Sequence, residues 1–160
     1  MLPQLKERKD IHLLFGTGER NYEKVCNAAK EMGITENDDN IEIVPYINNM
    51  AEVMAAADLV VARSGAITVS ELAALKKPSV LIPSPNVVRN HQEQNAREIE
   101  KCGGAVVITE AELTPEVLFG KIAALLGDNE KLDSMSQSLE TAAKTDALEK
   151  LYDLMIDMSK

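Results

Sequence analysis

A chain of 160 residues is long enough for one domain with a real core, and 45% apolar residues with no run long enough to span a bilayer mark it as soluble and globular. Its net charge of −9, from 26 acidic against 17 basic residues, argues against nucleic acid as the main partner but leaves room for one anionic ligand held by backbone amides. Cys26 and Cys102 lack metal-ligand spacing and read as two reduced thiols of a cytosolic protein, and the polar start Met-Leu-Pro-Gln-Leu-Lys-Glu-Arg-Lys-Asp lacks the apolar core of a signal peptide.

Short apolar runs alternate with helical patterns along the chain. Ile11-His-Leu-Leu-Phe15 reads as a buried strand, with His12 a structural residue inside it. The segment 21–32 reads as a helix closed by Gly33, and Ile41-Glu-Ile-Val44 as a second strand followed by a short helix over 50–57. Leu59-Val-Val-Ala62 is a third strand. Ile67, Val69, Leu72, Ala73 and Leu75 then carry a helical pattern. Ser79-Val-Leu-Ile82 is a fourth strand stopped by Pro83. A helix over 90–102 ends at Gly103-Gly104, and Ala105-Val-Val-Ile108 is a fifth strand. Three helical segments follow, over 115–126, 130–143 and 146–158. Strands spaced by helices predict an α/β fold, a Rossmann-like parallel sheet with helices on both faces. No repeat, linker or low-complexity tract interrupts it, so residues 1–160 read as a single domain. The seven methionines follow helical spacing and read as packing residues.

In an open parallel sheet the ligand sits at the carboxyl ends of the strands. Those ends carry Gly16-Thr17-Gly18, Pro45-Tyr46-Ile47-Asn48, Arg63-Ser64-Gly65 and Pro83-Ser84-Pro85. The strand–turn–helix junction at 62–71 is the most specific of them. The first N–H groups of a helix have no intrahelical partner, and the helix dipole is positive there, so an anion binds without a dedicated cation. Gly65 is expected to let the backbone approach the anion closely and to take dihedrals denied to other residues. Ser64, Thr68 and Glu71 lie four and three residues apart, which places them on one helical face. Phosphate at the helix start and a carboxylate deeper on the same face suit a nucleotide diphosphate and its ribose hydroxyls. Gln92 and Asn95 offer amides for sugar hydroxyls, and His91 reads as an exposed neighbour of a helix cap. No nucleophile elbow, His-Glu-x-x-His or Walker lysine is present, so no catalytic residue and no metal site are assigned.

Ala62-Arg-Ser-Gly-Ala-Ile-Thr-Val-Ser-Glu-Leu72, Pro78-Ser-Val-Leu-Ile-Pro83 and His91-Gln-Glu-Gln-Asn-Ala96 resemble the carboxyl-terminal half of the MurG family. Phe15-Gly-Thr-Gly-Glu-Arg-Asn-Tyr22 and Val44-Pro-Tyr-Ile-Asn-Asn-Met50 fall in matching order, so the resemblance covers nearly the whole chain. These enzymes move N-acetylglucosamine from UDP onto lipid I in peptidoglycan synthesis and have the GT-B architecture of two Rossmann-like domains. The resemblance implies that the backbone at Ser64, Gly65, Ala66 and Ile67 holds the diphosphate and that Thr17 also reaches it. It further implies that Ile47 presents its backbone to uracil, that Glu71 binds the ribose, and that Thr68 and Gln92 meet the sugar with His91 beside it. The donor is a substrate, and no cofactor is implied. The chain departs from the family in having Phe15-Gly16 where His-Gln is usual before Thr17-Gly18, and His91 where many members have Gln.

By the same resemblance the chain reads as a fragment, without the acceptor domain and without the first strand of the donor domain. The general base belongs to the missing half. The full enzyme would lie on the cytoplasmic face of the plasma membrane. The rival readings are another UDP-sugar user of this architecture, such as a glycolipid synthase or nucleotide-sugar epimerase, and a non-catalytic nucleotide-binding subunit. Leu148, Leu151, Tyr152, Met155 and Ile156 form an apolar stripe at helical spacing, which predicts self-association.

Overall fold

Each short apolar run in the first two thirds of the chain becomes a parallel strand. The computed structural model describes residues 1–35, 38–87 and 90–140. The helix expected over 146–158, and the self-association read from its stripe, lie outside them. The chain divides into two compact units, Met1–Val53 with Thr114–Gly120, and Met54–Leu113 with the residues from Lys121 onward.

The first unit contains α1 (Leu2–Lys6), β1 (Leu13–Gly16), a 3-10 turn (Glu19–Asn21), α2 (Tyr22–Glu31) and β2 (Ile41–Val44), and α3 (Met50–Ala56) begins in it. β1 and β2 pair in parallel from Leu13 opposite Ile41 to Gly16 opposite Val44. The strand starts later than the apolar run does, because Ile11 turns its N–H back to the carbonyl of Arg8. His12 therefore precedes the strand and is exposed, which corrects its reading as a structural residue inside it. Asn40 is 2% exposed, and its amide donates to the carbonyls of Leu5, Arg8 and Ile11 at 3.0–3.2 Å, tying α1 to the head of β2. Beside it, the buried Asp38 accepts from the Thr35 N–H and pairs with Lys6 at 3.1 Å. These two contacts hold its carboxyl below the usual carboxylate range against the effect of burial.

The second unit contains β3 (Val60–Ala62), α4 (Ala66–Ala74), β4 (Ser79–Leu81), α5 (His91–Lys101), β5 (Ala105–Val107) and α7 (Asn129–Glu140), with α6 (Pro115–Leu126) ending in it. Its sheet runs β3-β4-β5, all parallel, with Ala62, Leu81 and Val107 in register at the carboxyl edge. The central β4 is buried along its whole length. Leu72 and Ala73 of α4, Ala96 and Ile99 of α5, and Leu139 of α7 pack with Leu81, Ala105 and Met54 into one core. Met54 and Met135 are buried, as packing methionines should be, whereas Met32 and Met50 are exposed. Among the described residues the strands pair in parallel, β1 with β2 in the first unit and β3-β4-β5 in the second, as an α/β, Rossmann-like fold requires. Each ladder joins strands successive in the chain through a single crossover, α2 in the first sheet and α4 and α5 in the second, so connectivity fixes the pairing within each set.

Three helices end alike. In α2 the N–H of Gly33 returns to Lys30 and that of Ile34 to Ala29. In α5 those of Gly103 and Gly104 return to Glu100 and Ile99, and in α4 those of Lys76 and Lys77 return to Ala73 and Leu72. This double bond pattern requires a left-handed residue just past the helix. Glycine fills it twice, but after α4 it falls to Lys76 at φ 51°. The side chain recovers part of that cost through an exposed ion pair with Glu140. Lys76→Gly is expected to raise stability by about 1 kcal/mol by relieving the left-handed strain. The check is the denaturation midpoint, and a fall in it would show that the ion pair outweighs the strain.

Candidate nucleotide-binding site

The site is built where β3 leaves its sheet. The carbonyl of Ala62 accepts the Ile82 N–H, and at the next residue the chain turns away from the ladder. Arg63 lies across the carboxyl edge: Nη1 donates to the Ile82 carbonyl at 3.1 Å and pairs with the Glu110 carboxylate at 2.5 Å. Its charge is thus already matched by a carboxylate of the same edge. After β5, Glu112 accepts from both the hydroxyl and the N–H of Thr109, which hold its carboxyl below the usual range.

Ser64 is fully buried. Its Oγ donates to the carbonyl of Gln92 at 2.7 Å, and its own carbonyl accepts from Nδ2 of Asn95 at 3.1 Å. Ser64 stands before the helix, so it does not share a face with Thr68 and Glu71. Helical spacing applies only from Ala66 onward. Gly65 is the cap residue, and its carbonyl accepts the Val69 N–H at 2.9 Å. No side chain caps the helix. The N–H groups of Ala66, Ile67 and Thr68 accordingly have no acceptor among the described residues.

Gly65 has φ −61° and ψ 149°, a conformation open to any residue. The expectation that glycine is needed there for its dihedrals is therefore corrected. What it provides is space, since a Cβ added at Gly65 would meet only Thr68 Oγ1, at 3.9 Å. Beyond this opening, Ile67 is 77% exposed, Thr68 is half-buried, and Glu71 is exposed one turn further on.

The start of α5 closes the other side of the turn. Asn90 caps it in the left-handed region, at φ 55°, and its amide donates to the Glu93 carboxylate. His91 is the first helical residue and is exposed. Gln92 is half-buried, and its Oε1 accepts the Ser84 N–H at 2.9 Å. That bond fixes which way the amide points and leaves its NH2 as the group on offer. Asn95, read from the sequence as an amide for sugar hydroxyls, is instead engaged with Ser64.

Thr17 and Ile47 belong to the first unit. The Thr17 N–H continues the ladder to the Val44 carbonyl at 3.0 Å, and its hydroxyl lies 3.2 Å from the carbonyls of both Val44 and Gly18. Ile47 follows β2, and its side chain sits so close to Gly16 that a Cβ there would lie 3.1 Å from Cδ1. Neither backbone group of Ile47 has a hydrogen-bond partner among the described residues. Tyr46 and Met50 beside it are 66% and 44% exposed. Among the described residues there is no cluster of metal-ligating side chains and no helix long and apolar enough to cross a membrane.

A parallel sheet with an uncapped helix start at its carboxyl edge defines an α/β, Rossmann-like domain. A crystal structure of Acinetobacter baumannii MurG superposes with a TM-score of 0.79 at 28% identity, over 98% of this chain and 44% of that one. A kitacinnamycin glycotransferase shares the fold at 22% identity and a TM-score of 0.67, over 95% of this chain and 37% of that one. The chain belongs to glycosyltransferase family 28, whose C-terminal domain matches residues 1–151. It is 45% identical over all 160 residues to the UDP-N-acetylglucosamine--N-acetylmuramyl-(pentapeptide) pyrophosphoryl-undecaprenol N-acetylglucosamine transferase of Acetivibrio thermocellus, covering 42% of that protein. It is 40% identical over 155 residues to the enzyme of the same name from Oenococcus oeni, covering 97% of this chain and 41% of that protein. The chain thus spans about two fifths of the length of these relatives.

Proposed function

We propose that this chain binds the donor UDP-N-acetylglucosamine for an inverting glycosyltransferase that acts on lipid I to make lipid II at the cytoplasmic face of the membrane. The observation that carries the reading is the helix start of α4: three consecutive N–H groups without acceptors, no side-chain cap, open space at Gly65, and an exposed carboxylate one turn further on. The diphosphate would take the N–H groups of Ala66, Ile67 and Thr68 together with that of Gly65 at the turn, and Glu71 the ribose hydroxyls. Thr68 and the amide NH2 of Gln92 would meet the sugar, with His91 beside it. The contacts of Ile47 with uracil and of Thr17 with phosphate rest on family resemblance, and Thr17 must turn its hydroxyl from the Val44 carbonyl to make its contact.

The reaction is a displacement at the anomeric carbon by the acceptor hydroxyl. Charge grows on the leaving diphosphate as the bond breaks. A fixed helix start stabilises that charge more in the transition state than in the ground state. The base that takes the acceptor proton is assigned to the remainder of the enzyme. On its own the 160-residue chain is therefore expected to bind the donor but to transfer no sugar, because positioning two substrates supplies much of the rate. Incubation with UDP-N-acetylglucosamine and a lipid I analogue checks this, and measurable product would contradict it. Calorimetry with UDP and uridine tests the site itself: UDP should bind well above uridine. Equal affinities would remove the phosphate from the helix start, and tighter binding of a nucleotide with another base would point to a different donor.

A further inference from the structure

We propose that Asn95 is a positioning residue that sets the peptide plane between Ser64 and Gly65 and so aims the phosphate-binding turn. This inference rests on the reading that the diphosphate sits at the start of α4. In a trans peptide the carbonyl and the N–H point in opposite directions. The Ser64 carbonyl and the Gly65 N–H belong to one such unit. Asn95 holds the carbonyl towards α5 at 3.1 Å, so the Gly65 N–H is turned away from α5. A flip of this unit would put a carbonyl oxygen where an anion is to bind. Glycine makes such a flip cheap, because residues without a Cβ accept both orientations of the preceding peptide. Asn95 removes that freedom. A second bond, from Ser64 Oγ to the Gln92 carbonyl at 2.7 Å, anchors the same residue to the same helix. Ser64 is fully buried and both partners are half-buried, so the Ser64 end of each bond is shielded from water. Gln92 is held in turn by the Ser84 N–H, which ties the lock to the loop after β4.

The test is Asn95→Asp, which keeps the shape but replaces the donor with a carboxylate facing the Ser64 carbonyl. UDP affinity of the 160-residue chain is measured by calorimetry at about pH 8 and about pH 5, with the native chain as reference at each pH so that titration of the nucleotide cancels. At the higher pH the variant should bind UDP about tenfold more weakly than native, the size of one lost charge-facing hydrogen bond. At the lower pH the carboxyl, raised by its half-buried site and the facing carbonyl, gains a proton and donates again, and at least about a threefold share of the loss should return. Uridine, which lacks the phosphates, should bind native and variant alike. Ser64→Ala removes the second bond independently and should weaken UDP about threefold with uridine unchanged, so the proposal stays exposed should the first variant fold poorly. Parallel losses for UDP and uridine without recovery in acid would assign Asn95 a merely structural role. Native-like UDP binding by both variants would overturn the lock while leaving the phosphate site standing. Absence of UDP binding by the native chain would overturn the site and the lock together.

Discussion

Glu71→Ala is expected to weaken UDP by about 1.5–3 kcal/mol, the range of hydrogen bonds to a charged group. Glu71 is exposed on α4, and its carboxylate takes part in no ion pair or hydrogen bond among the described residues, whereas its backbone carbonyl accepts the Leu75 N–H at 2.9 Å as any residue there would, so truncating the side chain leaves the fold untouched. A carboxylate accepts from two neighbouring hydroxyls at once, and a ribose presents such a pair. Uridine should therefore lose affinity in parallel with UDP, since both carry the ribose. Glu71→Gln keeps one acceptor oxygen and should fall between native and alanine. Calorimetry decides the matter, with circular dichroism confirming that the variant is folded. Unchanged UDP affinity would remove the ribose from Glu71 and shift the nucleotide along or off the helix start.

The parts of this molecule that depend on neighbours in sequence were legible in the sequence. The five apolar runs all became strands, and Gly33 and Gly103 end their helices as the pattern said, because strand alternation and helix capping act within a few residues. The strand–turn–helix junction at 62–71 was legible for the same reason. What escaped lies between residues far apart in the chain. Spacing alone puts Ser64 on a helical face, yet its hydroxyl is drawn off by a carbonyl 28 residues later. Its type and position suit Asn95 to a sugar hydroxyl, yet its amide donates to a carbonyl 31 residues earlier. Arg63 gave no signal at all of the carboxylate that matches its charge, because Glu110 is brought to it only by the pairing of three strands. Spacing assigns a residue to a face; the sheet decides what that residue meets there.

Gly65 and Gly104 show how two glycines in one unit serve different ends. Gly65 stands in open space with ordinary dihedrals, so its lack of a side chain matters to whatever approaches from outside. Gly104 is buried within the core. Its N–H closes the end of α5 on the Ile99 carbonyl, which fixes its place in the turn. A Cβ added there would lie 2.2 Å from Cδ2 and 2.5 Å from Cγ of Leu139. The clash thus reaches the branch point of the side chain and not only its tip.

Gly104→Ala is accordingly expected to destabilise the chain by about 1–3 kcal/mol, the usual cost of overpacking a filled core. Leu139 is fully buried and packs in the cluster with Leu72 and Leu81, so it has no free rotamer to retreat into. Relief would require α7 to move off the sheet or the end of α5 to open, and either breaks contacts made by α4, which α7 also packs against. Urea denaturation measures the loss as a lower midpoint at unchanged slope. A double-mutant cycle with Leu139→Ala identifies the cause. The alanine at 139 empties the space that the new methyl needs, so the pair should cost less than the sum of the two single changes. Additive costs would show that the methyl is accommodated elsewhere, and an unchanged midpoint for Gly104→Ala would show that α7 does not press on this glycine at all.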